Sequence, residues 1–108
     1  MLTEILKIAE ANMEGFTIEL EYLTFITSGI VVAYEETQNS FGFEGLKKVV
    51  NHSLYNEKVI GGWFDSENQK FYFDSCKVFK NLDEAIEFGR LNGQRAIFDL
   101  DNLREIRL

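Results

Sequence analysis

The segment from residue 59 to residue 74 leaves little choice of structure. Residues 59–64 and 71–74 are rich in β-branched and aromatic side chains, and the turn-forming residues 65–70 lie between them, which predicts a β-hairpin. With a four-residue loop, Asp65 faces Lys70, Phe64 faces Phe71 and Trp63 faces Tyr72. Opposite charges and aromatic pairs across strands each contribute about 0.2–1 kcal/mol. In this register Phe73 lies over Gly62, where the missing side chain leaves room for the ring. Strand residues alternate between faces, so Phe64, Phe71 and Phe73 pave one side while Trp63 and Tyr72 occupy the other. A sheet covered by helices on one side needs only one apolar face. The second aromatic face therefore has three fates open to it: another layer of the same chain, a contact between two copies, or a ligand groove.

Around this hairpin the apolar periodicity switches between the helical and the strand repeat. Leu2, Ile5, Leu6, Ala9 and Met13 fall at helical spacing, predicting a first helix over residues 4–12 with Thr3 as its N-cap. Alternation follows, with Phe16, Ile18, Leu20 and Tyr22 directed inward and Thr17, Glu19 and Glu21 outward. The β-branched run over residues 30–34 predicts a second, more central strand. Residues 37–42 form a polar loop leading into a second helix over 43–55, whose buried stripe is Phe43, Leu46, Val49, Val50 and Leu54. Residues 76–79 continue or re-form the hairpin's second strand. Asn81, with Glu84 three residues on, opens a third helix in the manner of a capping box. Its inner face is Leu82, Ala85, Ile86 and Gly89. A helical glycine costs roughly 1 kcal/mol relative to alanine, so Gly89 implies a close crossing by another element. A last hairpin joins residues 96–100 to 105–108. The order is α-ββ three times over, without shared residues between units, which predicts a single α+β domain with helices packed on a largely antiparallel sheet.

Composition narrows the function classes. The chain has 108 residues, 11 Lys+Arg against 18 Asp+Glu, and a formal charge of −7, a length that suits one domain. Eight acids and one base fall in residues 1–46, and ten of each in residues 47–108. Direct nucleic-acid binding needs a basic field and is disfavoured. No stretch reaches the roughly 20 apolar residues of a membrane span. Residues 1–14 carry Glu4, Lys7, Glu10 and Glu14 with no apolar block, so a secretory signal is not expected. The single cysteine, Cys76, cannot form an internal disulfide or a cysteine-based zinc site. A cytoplasmic location is expected.

Candidate chemistry is sparse. His52, the one histidine, offers a general base and, with Cys76, the one available nucleophile–base pair. The structural readings are a partly exposed helical histidine and a small buried thiol. Glu35/Glu36, Asp83/Glu84 and Asp99/Asp101 are carboxylate pairs that a strand end, a helix first turn and a hairpin turn account for. No glycine pattern fits a phosphate loop. Neither a metal nor a cofactor is expected.

Several segments together resemble a group of short proteins, without an assigned activity, carried by phages and conjugative elements of gut bacteria. They are Gly29-Ile30-Val31-Val32-Ala33-Tyr34, Thr37-Gln38-Asn39-Ser40-Phe41-Gly42, Gly61-Gly62-Trp63-Phe64, Phe71-Tyr72-Phe73-Asp74-Ser75, Asp83-Glu84-Ala85-Ile86-Glu87-Phe88-Gly89 and Ala96-Ile97-Phe98-Asp99-Leu100. The resemblance implies a cytoplasmic accessory protein of a mobile element and carries no catalytic residue with it.

Charge asymmetry without a catalytic constellation points first to a protein–protein interaction module. Glu19, Glu21, Glu35 and Glu36 would engage a basic protein, in a way that imitates the charge of DNA, and Trp63 and Tyr72 would supply an aromatic contact. Two other readings stay open: a ligand-binding or catalytic pocket where His52 and Cys76 converge, and a homodimer formed through the aromatic hairpin.

Overall fold

Three helices lie on one face of a single antiparallel sheet. The computed structural model describes all 108 residues, in the order α1 (Leu2–Ala11), β1 (Phe16–Glu19), β2 (Ile30–Ala33), one 3-10 turn (Glu35–Thr37), β3 (Ser40–Phe41), α2 (Gly42–Leu54), β4 (Val59–Asp65), β5 (Lys70–Phe79), α3 (Leu82–Leu91), β6 (Ala96–Asp99) and β7 (Arg104–Arg107). The strands run β1-β4-β5-β2-β6-β7 across the sheet, and the two-residue β3 pairs with β5 beyond the end of β2. No helix is long and apolar enough to cross a membrane.

The expected hairpin is present in the expected register: Gly62 pairs with Phe73, Trp63 with Tyr72, Phe64 with Phe71 and Asp65 with Lys70. A methyl group at Gly62 would come within 2.7 Å of the Phe16 ring and 3.0 Å of the Phe73 ring. Gly62→Ala is therefore expected to destabilise the fold by about 1–3 kcal/mol through overpacking, read as a shift of the urea midpoint at unchanged slope. Gly89 likewise allows a close crossing, since a Cβ there would meet Leu108, Ile97 and Val32. The three α-ββ units are not arranged alike. β4–β5 and β6–β7 are true hairpins, whereas β4 and β5 insert between β1 and β2. This places β2 centrally, between β5 and β6, as its continuous apolar run requires.

Both hairpins share one turn chemistry, built on the same Asp-x-acid-Asn-x-base pattern over residues 65–70 and 99–104. Asp65 accepts from the backbone N–H groups of Glu67 and Asn68 and from the Asn68 side chain. Asp99 does the same for Asp101, Asn102 and the Asn102 side chain. Gln69 and Leu103 then take left-handed backbone conformations at φ 57 and φ 50, closing each loop.

On the helix-bearing face, Ile5 and Ala9 of α1 and Leu46, Val49 and Val50 of α2 pack with Phe16, Ile18, Ile60 and Phe73. Ala85 of α3 packs with Ile30, Val32 and Ile97. Several expectations need correction. Helix α1 begins at Leu2 without a side-chain cap from Thr3, whereas Asn81 does cap α3, accepting from the Glu84 N–H at 3.0 Å. The chain leaves β1 at Glu19 and turns back through Leu23 at φ 59, so Tyr22 is 79% exposed rather than inward. Met13, Phe43, Leu54 and Leu82 are exposed as well. In α2 the small Gly45 and Ser53 are buried instead. Gly45 lies against the Ser40 backbone, an approach a larger residue would block.

The returning segment after β1 covers that edge of the sheet. Thr17 accepts from the Ile26 N–H and Glu19 donates to the Thr24 carbonyl. The opposite edge, β7, is lined with Arg104, Glu105 and Arg107, charges that discourage strand addition.

Candidate functional site: the helix-free face of the sheet

Alternation along β5 sends Phe73 and Ser75 toward the helices and Tyr72, Asp74 and Cys76 to the opposite face. Part of that second face does gain another layer: Val31, Val59 and Cys76 are buried beneath Ile26 from the returning segment and Leu100 from the β6–β7 turn. Beside this patch the sheet surface stays open as a groove of about 920 Å³. Its floor includes Ala33, Gly61 and Asp74, with Trp63 on one side and Phe98 and Leu103 on the other. Glu14 and Glu105 also line it, and no lysine, arginine or histidine does.

Asp74 is the chemical centre of this groove. It pairs across the sheet with Gly61, so nothing projects beside it from β4. No ion pair of the structure involves it. Burial against apolar surface, with no compensating partner, pushes its carboxyl up to about 6, because removal from water disfavours the charged form. Cys76, two residues on, is buried, and burial together with the Asp74 charge moves its thiol well above the ordinary range. A thiol held neutral is a poor nucleophile.

Trp63 stands at the groove's edge, 45% exposed, stacked on Tyr72 with ring centroids 5.5 Å apart. Tyr72 in turn meets Phe41 of β3 edge-on at 5.8 Å, and the Lys70 ammonium sits 4.1 Å over the Phe41 ring. The aromatic side chains that the hairpin alternation places opposite the core thus form a continuous row across β4, β5 and β3.

His52 and Cys76 do not converge. His52 projects from α2 onto the helix-bearing face, where Nδ1 is hydrogen-bonded to Ser75 Oγ at 2.8 Å and Nε2 to Glu36 Oε2 at 2.6 Å. Cys76 faces the other way, with the sheet between them, so the nucleophile–base pair is excluded. The His52–Ser75–Glu36 set has the residue types of a hydrolytic triad but not its access. Ser75 is 0% exposed, and its N–H donates to the buried Thr37 Oγ1. A carboxylate only accepts, so the Nε2 N–H donates to Glu36. This network, with Tyr34 edge-on to the imidazole at 4.9 Å, fastens the 3-10 turn and α2 to β5.

The four glutamates singled out for a partner are dispersed. Glu19 folds over its own turn, accepting from the N–H groups of Tyr22 and Thr24, bonds that hold its carboxyl below the usual range. Glu36 is engaged by His52. Glu35 and Glu21 are exposed. Asp99 and Asp101 are likewise occupied, the former in its turn and the latter accepting from the Gly29 N–H at 3.2 Å. No group of three or more metal-capable side chains comes together.

The residue that sequence reasoning passed over is Asp74. Its signal was available in the hairpin itself: once Phe73 faces the core, Asp74 must share a face with Trp63, Tyr72 and Cys76. A lone acid there is a misfit among apolar neighbours. No family model matches this chain, and neither a curated protein nor a solved structure matches it.

Proposed function

We propose that this chain is a non-enzymatic protein–protein interaction module of a bacterial mobile element, and that it engages a basic partner through the helix-free face of its sheet. One observation carries the reading: an open groove lined by apolar and aromatic side chains whose only charged lining groups are carboxylates. Such a surface favours an extended segment bearing lysine or arginine among apolar residues. Opposite charge speeds encounter and rejects acidic competitors. Trp63 and Tyr72 supply large, rigid contact area of the kind that dominates binding energy at interfaces. The segment resemblance described above supports the mobile-element setting. The charge asymmetry read from the sequence is thereby relocated, from Glu19, Glu21, Glu35 and Glu36 to Glu14, Asp74 and Glu105.

Trp63, the one tryptophan, makes the test direct. A capped seven-residue peptide alternating lysine with leucine and valine is expected to shift its fluorescence, with a Kd of about 100 μM or tighter. The matching glutamate peptide is expected to give no response. Equal response to both, or none to either, contradicts the proposal. Concentration-dependent self-association that buries Trp63 would favour the homodimer instead.

A further inference from the structure

We propose that Asp74 forms an ammonium subsite within this groove, anchoring one lysine side chain of the bound segment. The inference rests on the interaction reading above and specifies where in the groove the positive charge goes.

Four features converge. Asp74 lacks an ion-pair partner of its own, and a half-buried carboxylate without one is strongly improved by an incoming cation. Gly61 directly opposite leaves space beside the carboxyl on the β4 side. On the other side, β2 pairs with β5 only as far as Ala33 opposite Cys76, and β3 resumes at Ser40 opposite Phe73. No strand residue pairs with Asp74 on that side, where the Tyr34 N–H still bonds the Ser75 carbonyl before the chain enters the 3-10 turn. Trp63, diagonal to Asp74 across the β4–β5 pair, offers the ring face that attracts cations. A single carboxylate suits a compact ammonium whose methylene stem lies along Ala33 and Val31 better than a guanidinium, whose fork of five donors asks for more acceptors.

The other titratable groups on this face are Tyr72 and Cys76 on β5, Asp65 on β4, Glu19 on β1 with Glu14 before it, and Glu105 and Arg107 on β7, which pair with each other at 3.5 Å, while the returning segment contributes only Phe25, Ile26 and Thr27 to the groove. Lys70, further along β5, is held over Phe41. Of the groove's carboxylates Glu105 is paired with Arg107, and replacing Asp74 separates its part from that of Glu14.

The probes are n-hexylammonium and n-hexanol, equal in tail and different in charge, titrated against the whole chain and followed by backbone amide NMR. Near pH 7.5 the ammonium is expected to bind at least about five-fold more tightly than the alcohol, with the largest shifts at Gly61, Asp74 and Ala33. In Asp74→Asn the two ligands should bind alike. The same levelling is expected in the unaltered protein near pH 4.5, where Asp74 takes up a proton. Equal binding of ammonium and alcohol at pH 7.5, or no binding of either, overturns the subsite. So does an ammonium preference that survives in Asp74→Asn. If the lysine peptide still shifts Trp63 fluorescence in those cases, the interaction reading stands while the subsite falls.

Discussion

Phe73→Ala is expected to lower the free energy of unfolding by about 3–5 kcal/mol. Phe73 is 1% exposed and sits where α1, α2, β1 and β4 meet. Its ring stacks on Phe71 at 5.2 Å and meets Phe16 edge-on at 6.5 Å. Truncation removes the buried area, both ring contacts and the reason for the glycine opposite, leaving a cavity that Gly62 cannot fill. Domains of this size have about 5–15 kcal/mol of stability in total, so the variant should unfold at a much lower urea concentration. Phe73→Leu keeps most of the volume and should lose much less. A loss below about 1 kcal/mol for the alanine variant would mean that the hairpin is not seated on the helices as described.

Asp74→Asn is expected to act in the opposite direction. The carboxyl titrates at about 6 in the folded chain against a reference of 3.8. Each unit of displacement corresponds to 1.36 kcal/mol, so ionised Asp74 weakens the fold at neutral pH by about 3 kcal/mol. Its folded-state pKa is raised, so the favourable contribution of the protonated acid is complete below about pH 4 and is lost as pH rises through about 6. An uncharged asparagine avoids this loss but keeps a polar group on apolar surface, giving a net gain of about 2 kcal/mol at pH 7. The stability difference between variant and parent should shrink as the pH falls from 7 to 4, which thermal unfolding at several pH values would show. A variant less stable than its parent at pH 7 would mean that Asp74 has a favourable partner. A gain in stability on replacing Asp74 would fit a binding role for the groove better than a packing role.

The hairpin register, the central place of β2 and the Asn81 cap were legible because local rules determine them: cross-strand pairing, a β-branched run and an N-cap side chain. The end of β1 was not. Alternation through Tyr22 read as continued strand, yet Glu19 captures the N–H groups of Tyr22 and Thr24 and turns the chain, a local side-chain capture with no periodic signature. Phe43, Leu54 and Leu82 matched helical stripes but are left exposed. The candidate site was half legible. Trp63 and Tyr72 were placed on the second face by alternation alone. Its acidic character was sought in the glutamate-rich first half of the chain, because local charge density is visible in a sequence while a lone aspartate in an aromatic strand is not. The relation of His52 to Cys76 depended on which side of β5 each one faces, and β5 alternation would have separated them had α2 been assigned to the Phe73 side.

The most direct measurement is a residue-resolved NMR map of where the alternating lysine peptide lands on the protein. Binding through the helix-free face predicts amide shifts concentrated at Ala33, Gly61, Trp63, Asp74 and Phe98, with α1, α2 and α3 unmoved. Shifts confined to the helices, to the Glu19–Glu21 turn or to the Glu35–Glu36 turn would contradict it.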